Sequence, residues 1–464
     1  MILNVFEESK IKASLLPSEW KTEKAQLELE EFLQQNWEQR SVFFDDGKVE
    51  SKQQFLQFQA HSGIKTKNYI GTIVFKGEQL NIFPKVFRSE IDDNETEELD
   101  QRHLFSNLIR WLEYCTRSTY PFINISTEFD DVNDLKELFI TLYVGYVRAA
   151  IERGLFYKYV EETEDVQNIK GKFDIKDYFT RKIPNGQFDR FLCSYSKFEF
   201  DNKLNRIIKC TCKMLYGITS RKNQKSIQNI LMRMNEVTDE NCVPADCDTI
   251  RLSDFQKDYQ IILSLSKMFL LNKMSSLSLD MNKSFCFLFP TELLFEGFVG
   301  GFMQEVLSEF GGKTHLQKSD MQLIDSIRIG ERTYSGAFTM RHDILIELDG
   351  KSFILDTKYK MITRFDGNID ETLKVVRDSP SQTDIYQVCE YARKRDISDV
   401  FLLYPQFRYE DIDPIIPVGP SSGNGGVINI HFVRLPFIFE EDSDKTIQML
   451  KKVILKCFGL SAVS

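Results

Sequence analysis

The chain lacks any apolar run approaching the roughly 18 residues that a membrane-spanning helix needs. Its start, Met1-Ile-Leu-Asn-Val-Phe-Glu-Glu, lacks the basic and apolar regions of a signal peptide. A cytoplasmic location and no membrane contact are the expectation. CxxC is absent from the nine cysteines, and no histidine stands at finger spacing from Cys210/Cys212 or Cys242/Cys247. Reduced, mostly buried thiols are therefore the reading preferred over a zinc site. Glycine (23) and proline (12) are scarce in 464 residues while phenylalanine reaches 38, which excludes a largely disordered chain. GxxxxGK[ST] is absent, so no phosphate loop is present. Basic charge is also lacking, since the formal net charge is -10. Proteins that grip DNA unaided show a basic footprint, because phosphate neutralisation supplies much of the affinity. Any DNA contact here uses a local basic surface or a second subunit.

What is present reads as an α/β multidomain protein. Residues 1–90 give a small mixed α/β domain, with a helix over Thr22–Asn36 and a hairpin of Tyr69–Phe75 and Gln79–Phe83 across a Gly-containing turn. Pro84 closes the second strand. The acidic run at 91–100 reads as a linker. Residues 101–280 form a mainly helical middle region, with helical apolar spacing over 103–159, a block from Lys203 to Met232, and helices near Phe255–Leu271. Residues 285–464 return to an α/β texture, beginning with a helix from Thr291 to Phe310 that Gly311-Gly312 stops. Ser421–Gly426 reads as a flexible loop.

The chemistry concentrates in residues 340–360. Two β-rich runs flank Asp349-Gly350, a strong signal for a two-residue hairpin turn. With the turn centred there, Asp343 and Asp356 face each other on one side of the hairpin, with Cβ atoms about 5 Å apart. Such a pair repels, and a divalent cation between the carboxylates reverses the sign of the interaction. Lys358, two residues on, shares the face and can orient a water or neutralise charge on a phosphate. A cation would lower the water's pKa and polarise the phosphoryl oxygen. The bland alternative is a hairpin whose acids face water. Phe353-Ile-Leu before Asp356 argues for a buried strand, where idle carboxylates are rare.

Glu296, among apolar neighbours on the helix upstream, is the expected third metal ligand or base, with Glu292 one turn earlier as its rival. Gln387, on the next helix, contacts the site or the DNA backbone, or is an ordinary surface position. Tyr391, one turn on, packs. His342 points to the face opposite Asp343 and reads as structural. The basic residues Arg206, Lys209, Lys213, Arg221, Lys222 and Lys225 offer either a DNA- or partner-contacting helix or a solvated face, and the solvated face is preferred.

These residues resemble a known family. Asp343, Asp356 and Lys358 are similar to a PD-(D/E)xK nuclease core, and the wider pattern resembles McrC, the nuclease subunit of McrBC-type restriction systems. Asn168-Ile-Lys-Gly-Lys-Phe-Asp-Ile175, Asp201-Asn-Lys-Leu-Asn-Arg-Ile-Ile-Lys209, Phe353-Ile-Leu-Asp-Thr-Lys-Tyr359, Tyr386-Gln387 and Val400-Phe-Leu-Leu-Tyr-Pro405 carry the likeness, over roughly residues 140–440. His342-Asp343 stands where the family has Pro-Asp. The segment ending Asn81-Ile-Phe-Pro-Lys85 looks like an extension found in longer members. The resemblance implies a restriction-endonuclease-like C-terminal core with a central mixed sheet. It implies cleavage of double-stranded DNA, modified or foreign, in antiviral defence. It also implies a partner, a McrB-like AAA+ GTPase (or ATPase) whose hydrolysis the chain stimulates. Oxygen ligands favour Mg²⁺ or Mn²⁺. The competing reading is a non-catalytic activator that docks on an NTPase with a decayed nuclease site.

Overall fold

A computed structural model describes residues 1–38, 51–59, 63–88, 101–115, 135–154, 156–253, 256–275, 284–360, 381–406, 414–423, 426–439 and 443–460. The acidic run expected as a linker lies outside them. The fold is mixed α/β. It divides into two compact units, one of Met1–Leu135 with Lys283–Ser464 and one of Lys136–Asn282. The sequence pattern had separated the N-terminal segment from the C-terminal one, whereas the first unit joins them.

Strand pairing explains the junction. In the first unit, β1 (Ile2–Phe6), β6 (Glu78–Phe83), β5 (Tyr69–Phe75) and β10 (Ser284–Pro290) form one sheet in that order. The expected hairpin β5–β6 is present, with Lys76 (φ 54°) and Gly77 (φ 80°) at its turn. β5 is buried along its whole length, as its β-branched and aromatic content favours for a central strand. β10 pairs with it along its other edge. Gly71 permits the approach: at φ +137°, an added Cβ would lie 2.0 Å from the Phe287 carbonyl oxygen. β2 (Lys10–Ile11), β4 (Gly63–Thr66) and β3 (Leu56–Gln59) make a small second sheet, and α1 (Glu23–Glu38) buries Leu29, Phe32, Leu33 and Trp37.

The larger sheet of this unit runs β11 (Lys313–Ile329), β12 (Arg332–Leu348), β13 (Lys351–Thr357), β14 (Asp399–Gln406), β16 (Gly426–Pro436) and β15 (Ile415–Gly423). It is mixed: β13, β14 and β16 are parallel, and the remaining pairs are antiparallel. Ser421–Gly423, expected in a loop, instead belong to β15, where Gly423 pairs with Gly426. Against Leu345, Ile354, Val400, Leu402 and Tyr404 of this sheet pack Val388 and Ala392 of α10 (Gln382–Arg395). α9 (Thr291–Ser308) packs on β11–β13 and on α2 (Gln101–Tyr114). Phe295 and Phe298 of α9 meet Phe437, whose ring stacks on Trp111 with centroids 4.0 Å apart.

The second unit is not helical throughout. Its helices are α3 (Leu135–Arg153), the one-turn α4 (Ile175–Asp177), α5 (Lys203–Tyr216), α6 (Arg221–Arg233), α7 (Pro244–Asp248) and α8 (Lys257–Ser275). Beside them stands a sheet of β7 (Lys158–Val166), β9 (Phe191–Glu199) and β8 (Lys172–Phe173). β7 escapes a period-2 reading because its Glu161–Asp165 stretch has no apolar alternation to report a buried face.

Candidate active site

The site grows from the β12–β13 hairpin. Asp349 (φ 49°) and Gly350 (φ 74°) both take the left-handed conformation that a two-residue hairpin turn requires. Pairing runs from Leu348↔Lys351 to Ile344↔Leu355, so the next step sets Asp343 opposite Asp356. This is the register the sequence predicts. Asp343 is fixed by Thr357, whose backbone N–H and Oγ1 each donate to Asp343 Oδ2 at 2.9 Å.

Asp356 is 4% exposed. Its buried Oδ2 has no aligned hydrogen-bond donor, but the Lys358 ammonium lies 2.7 Å away. Burial, reinforced by the charges of Asp343 and Asp384, pushes the Asp356 carboxyl up to about 7, although Lys358 pulls the other way. Lys358 responds in the complementary sense. Burial would strip its proton, but Asp356 and Asp384 outweigh burial and hold the ammonium charged.

Asp384 completes this group and was missed by sequence reasoning as a site residue. It begins α10 in a capping box: the Ser381 side chain accepts from the Asp384 N–H, and the Asp384 carboxylate accepts from the Ser381 N–H. The same carboxylate lies 3.6 Å from Lys358 Nζ and 2.5 Å from Lys360 Nζ. Burial opposes its ionisation, but the two lysines and Ser381 prevail and its pKa falls. The pattern Ser381-x-x-Asp384 is a legible cap signal that could have found it. Tyr404, on the neighbouring strand, buries its hydroxyl without a partner. Its pKa is pushed up by burial and by the charges of Asp384 and Asp356.

Gln317 is the other residue that motif reasoning could not reach. The flanking pairs Leu316↔Ile344 and Lys318↔His342 set it opposite Asp343 on β11. Its amide donates to Glu296 Oε1, and also to Asp343 Oδ1 at 3.4 Å. Glu296 is 9% exposed and faces this row. The Gln317 amide thus bridges the Glu296 and Asp343 carboxylates. Glu292 is exposed and accepts from Asn68 Nδ2 at 3.0 Å. Among the described residues no group of three His, Cys, Asp or Glu side chains is close enough to hold a metal ion unaided. The donors do fit a hard cation that keeps water and phosphate oxygens in its shell, for which one or two carboxylates suffice.

The Gln387 amide donates to the Tyr391 hydroxyl at 3.1 Å, one turn further along α10. His342 faces away from Asp343, as expected. Arg395 Nε donates to His342 Nε2 at 3.1 Å, so the ring proton sits on Nδ1 and is donated to the Lys318 carbonyl at 3.2 Å. Burial lowers its pKa and keeps the ring neutral. Tyr391 packs on that ring, with centroids 4.8 Å apart.

The first half of the basic stretch of the second unit is neutralised within the unit. Arg206 pairs with Asp201, Lys203 with Glu240 and Asp246, and Lys209 and Lys213 with Asp239. These charges are committed to the fold.

No curated protein matches the chain. A chain of the refined half-complex from a tetradecameric assembly of Thermococcus gammatolerans McrB AAA+ hexamers with bound McrC is similar in fold. It is 15% identical with a TM-score of 0.64, over 98% of this chain and 100% of that one. A chain of the Thermococcus gammatolerans McrBC complex is 18% identical over 66% of this chain and 88% of that one, with a TM-score of 0.48. The family model described as McrBC 5-methylcytosine restriction system component matches residues 64–405. That match includes the hairpin and the segment to Lys85 that the sequence reading had assigned to an extension. Since it spans well over half of the sequence, the chain belongs to the McrBC restriction-system component family.

Proposed function

We propose that the chain is the DNA-cleaving subunit of a McrBC-type system: a divalent-cation-dependent endonuclease with a PD-(D/E)xK core, working in the cytoplasm with an AAA+ partner. The observation that carries this reading is Asp356, a carboxylate at 4% exposure placed opposite Asp343 with a lysine at 2.7 Å. Burying like charges side by side destabilises a fold, and such arrangements persist where function requires them. Asp343 and Asp356 would hold Mg²⁺ or Mn²⁺, with Glu296 joining once the Gln317 amide moves aside. The cation, when bound, supplies Lewis-acid stabilisation and a water nucleophile at neutral pH. Lys358, kept charged by Asp356 and Asp384, offers positive charge to the scissile phosphate. Gln387, one turn along α10 from Asp384, helps to orient the DNA backbone.

Two observations support the partner. The sequence has no phosphate loop, so nucleotide hydrolysis belongs to another chain. The similar structure is that of McrB AAA+ hexamers with bound McrC, which supports a partner of the same kind whose GTP or ATP hydrolysis this chain stimulates. The substrate is double-stranded DNA, modified or foreign. The test is Mg²⁺-dependent cleavage of methylated and unmethylated plasmid by the chain, with and without its AAA+ partner and nucleotide, beside Asp356→Ala. Cleavage that needs the partner, the nucleotide and Asp356 supports the proposal. Stimulated hydrolysis with no cleavage in any metal would leave a docking activator instead.

A further inference from the structure

A second buried polar cluster lies in the first unit, apart from the acid row. Glu7, just beyond β1, is 0% exposed. Its Oε1 accepts from the Lys85 backbone N–H at 2.9 Å, and its Oε2 accepts from Thr291 Oγ1 at 2.7 Å. Tyr359 is 5% exposed and its buried hydroxyl has no aligned partner; burial and the nearby Glu7 charge push its pKa up. Lys85, the end of the Asn81-Ile-Phe-Pro-Lys85 segment, sets its ammonium 5.0 Å from the centre of the Tyr359 ring and 3.1 Å from Glu8. An isolated buried carboxylate is costly, and burial pushes the Glu7 carboxyl up against the opposing pull of Lys85 and Thr291. Hydrophobic residues at this position would fill the space without that cost.

What Glu7 touches gives it a use. Thr291 is the first residue of α9, the helix that carries Glu296. Tyr359 follows Lys358 directly, and its ring also packs on Phe295, the neighbour of Glu296. The Lys358 backbone is held by its N–H to the Leu403 carbonyl at 2.8 Å, and the chain then turns through the Lys360 N–H to the Lys358 carbonyl at 2.8 Å. The Glu7 carboxylate therefore holds the start of α9 directly, through Thr291, and reaches the exit of β13 through Lys85, whose ammonium lies over the Tyr359 ring.

We propose that Glu7 is a positioning residue of the acid site, fixing through Thr291 the placement of Glu296 and, through Lys85 on the Tyr359 ring, that of Lys358. The inference rests on the reading of that site as a cleavage centre. It gives the N-terminal segment a task inside the site.

The experiment compares Glu7→Ala, Glu7→Gln, Tyr359→Phe and, as a cavity control elsewhere in the same unit, Leu29→Ala. The full chain is assayed with its AAA+ partner on plasmid DNA in Mg²⁺, well below every melting transition, beside wild type and Asp356→Ala. Glu7→Ala is expected to lower kcat about tenfold or more with KM for DNA within about twofold. Glu7→Gln keeps an acceptor for Lys85 and is expected to recover most of the rate. Tyr359→Phe should fall between, and Leu29→Ala should stay within about twofold of wild type. Hydrogen exchange at the Lys358 and Lys360 amides supplies a second readout, faster in Glu7→Ala and Tyr359→Phe than in Leu29→Ala. Wild-type kcat in Glu7→Ala and Tyr359→Phe, or an equal loss in Leu29→Ala, overturns the proposal. Should wild type itself fail to cleave, the parent reading falls, and exchange alone decides: equal rates in Glu7→Ala, Tyr359→Phe and Leu29→Ala overturn the positioning role.

Discussion

Asp201 in the second unit and Asp356 in the first are carboxylates beside a cation, yet their surroundings act in opposite directions. Asp201 accepts from Arg206 Nε at 2.8 Å and Nη2 at 3.1 Å, and from the Thr238 N–H at 2.9 Å and Oγ1 at 2.5 Å. The Arg206 hydrogen bond and Thr238 together hold its carboxyl well below the usual range. Asp356 has its ammonium but no aligned donor to Oδ2, and it stands among Asp343 and Asp384, so its carboxyl is pushed up to about 7. A saturated acid stabilises a fold. An acid that the fold leaves underserved is a candidate for a functional role.

The largest effect expected to separate the two regions is on cleavage. Asp356→Ala should lower the rate on the order of 10³-fold, since a metal site contributes several kcal/mol of transition-state stabilisation. Asp201→Ala should leave the rate per folded chain within about twofold. Equal losses in the partner-complexed assay would erase the distinction. Lys358→Ala comes next, with a fall on the order of 10²-fold in kcat, in the range of other electrostatic stabilisers. No loss there would reduce Lys358 to a structural counter-ion.

Stability should sort the two acids with opposite signs. Without cation, Asp356→Asn removes like-charge repulsion and is expected to raise the melting temperature by a few degrees, about 1 kcal/mol. Asp201→Asn should lower it by a similar amount. The latter difference depends on pH in a defined direction. A carboxyl whose folded pKa is depressed contributes stability above its unfolded pKa of about 3.9 and loses it as pH falls toward the folded value. The difference between wild type and Asp201→Asn should therefore be full above about pH 5 and shrink steadily as pH falls below about 4 toward the depressed folded value. The smallest effect concerns Lys213. Its charge is paired with Asp239 at 2.6 Å, so Lys213→Ala should change DNA affinity and its salt slope by less than about twofold. A slope reduced by one charge would reopen this helix as a DNA surface.

The same contrast explains how much the sequence could tell. Asp343 and Asp356 were legible because a two-residue turn fixes the register, and Asp349-Gly350 names that turn without ambiguity. Lys358 followed from strand alternation. Gln317 was hidden because its place opposite Asp343 depends on β11, whose pairing shifts register between Lys318 and Met321. Glu7 and Thr291 were hidden because they meet only when β10 joins β5, a pairing between segments far apart in sequence. Arg206, Lys209 and Lys213 were visible as a basic run, but their acidic partners at Asp201 and Asp239 decide what that run does. Local rules reach the hairpin, and long-range pairing supplies the residues that surround it.

The most direct test of the central claim is Mn²⁺ titration of the full chain by calorimetry. The account predicts that wild type and Asp201→Asn bind alike, while Asp343→Asn and Asp356→Asn each lose about tenfold or more in affinity. Wild-type Mn²⁺ binding by Asp356→Asn would contradict it.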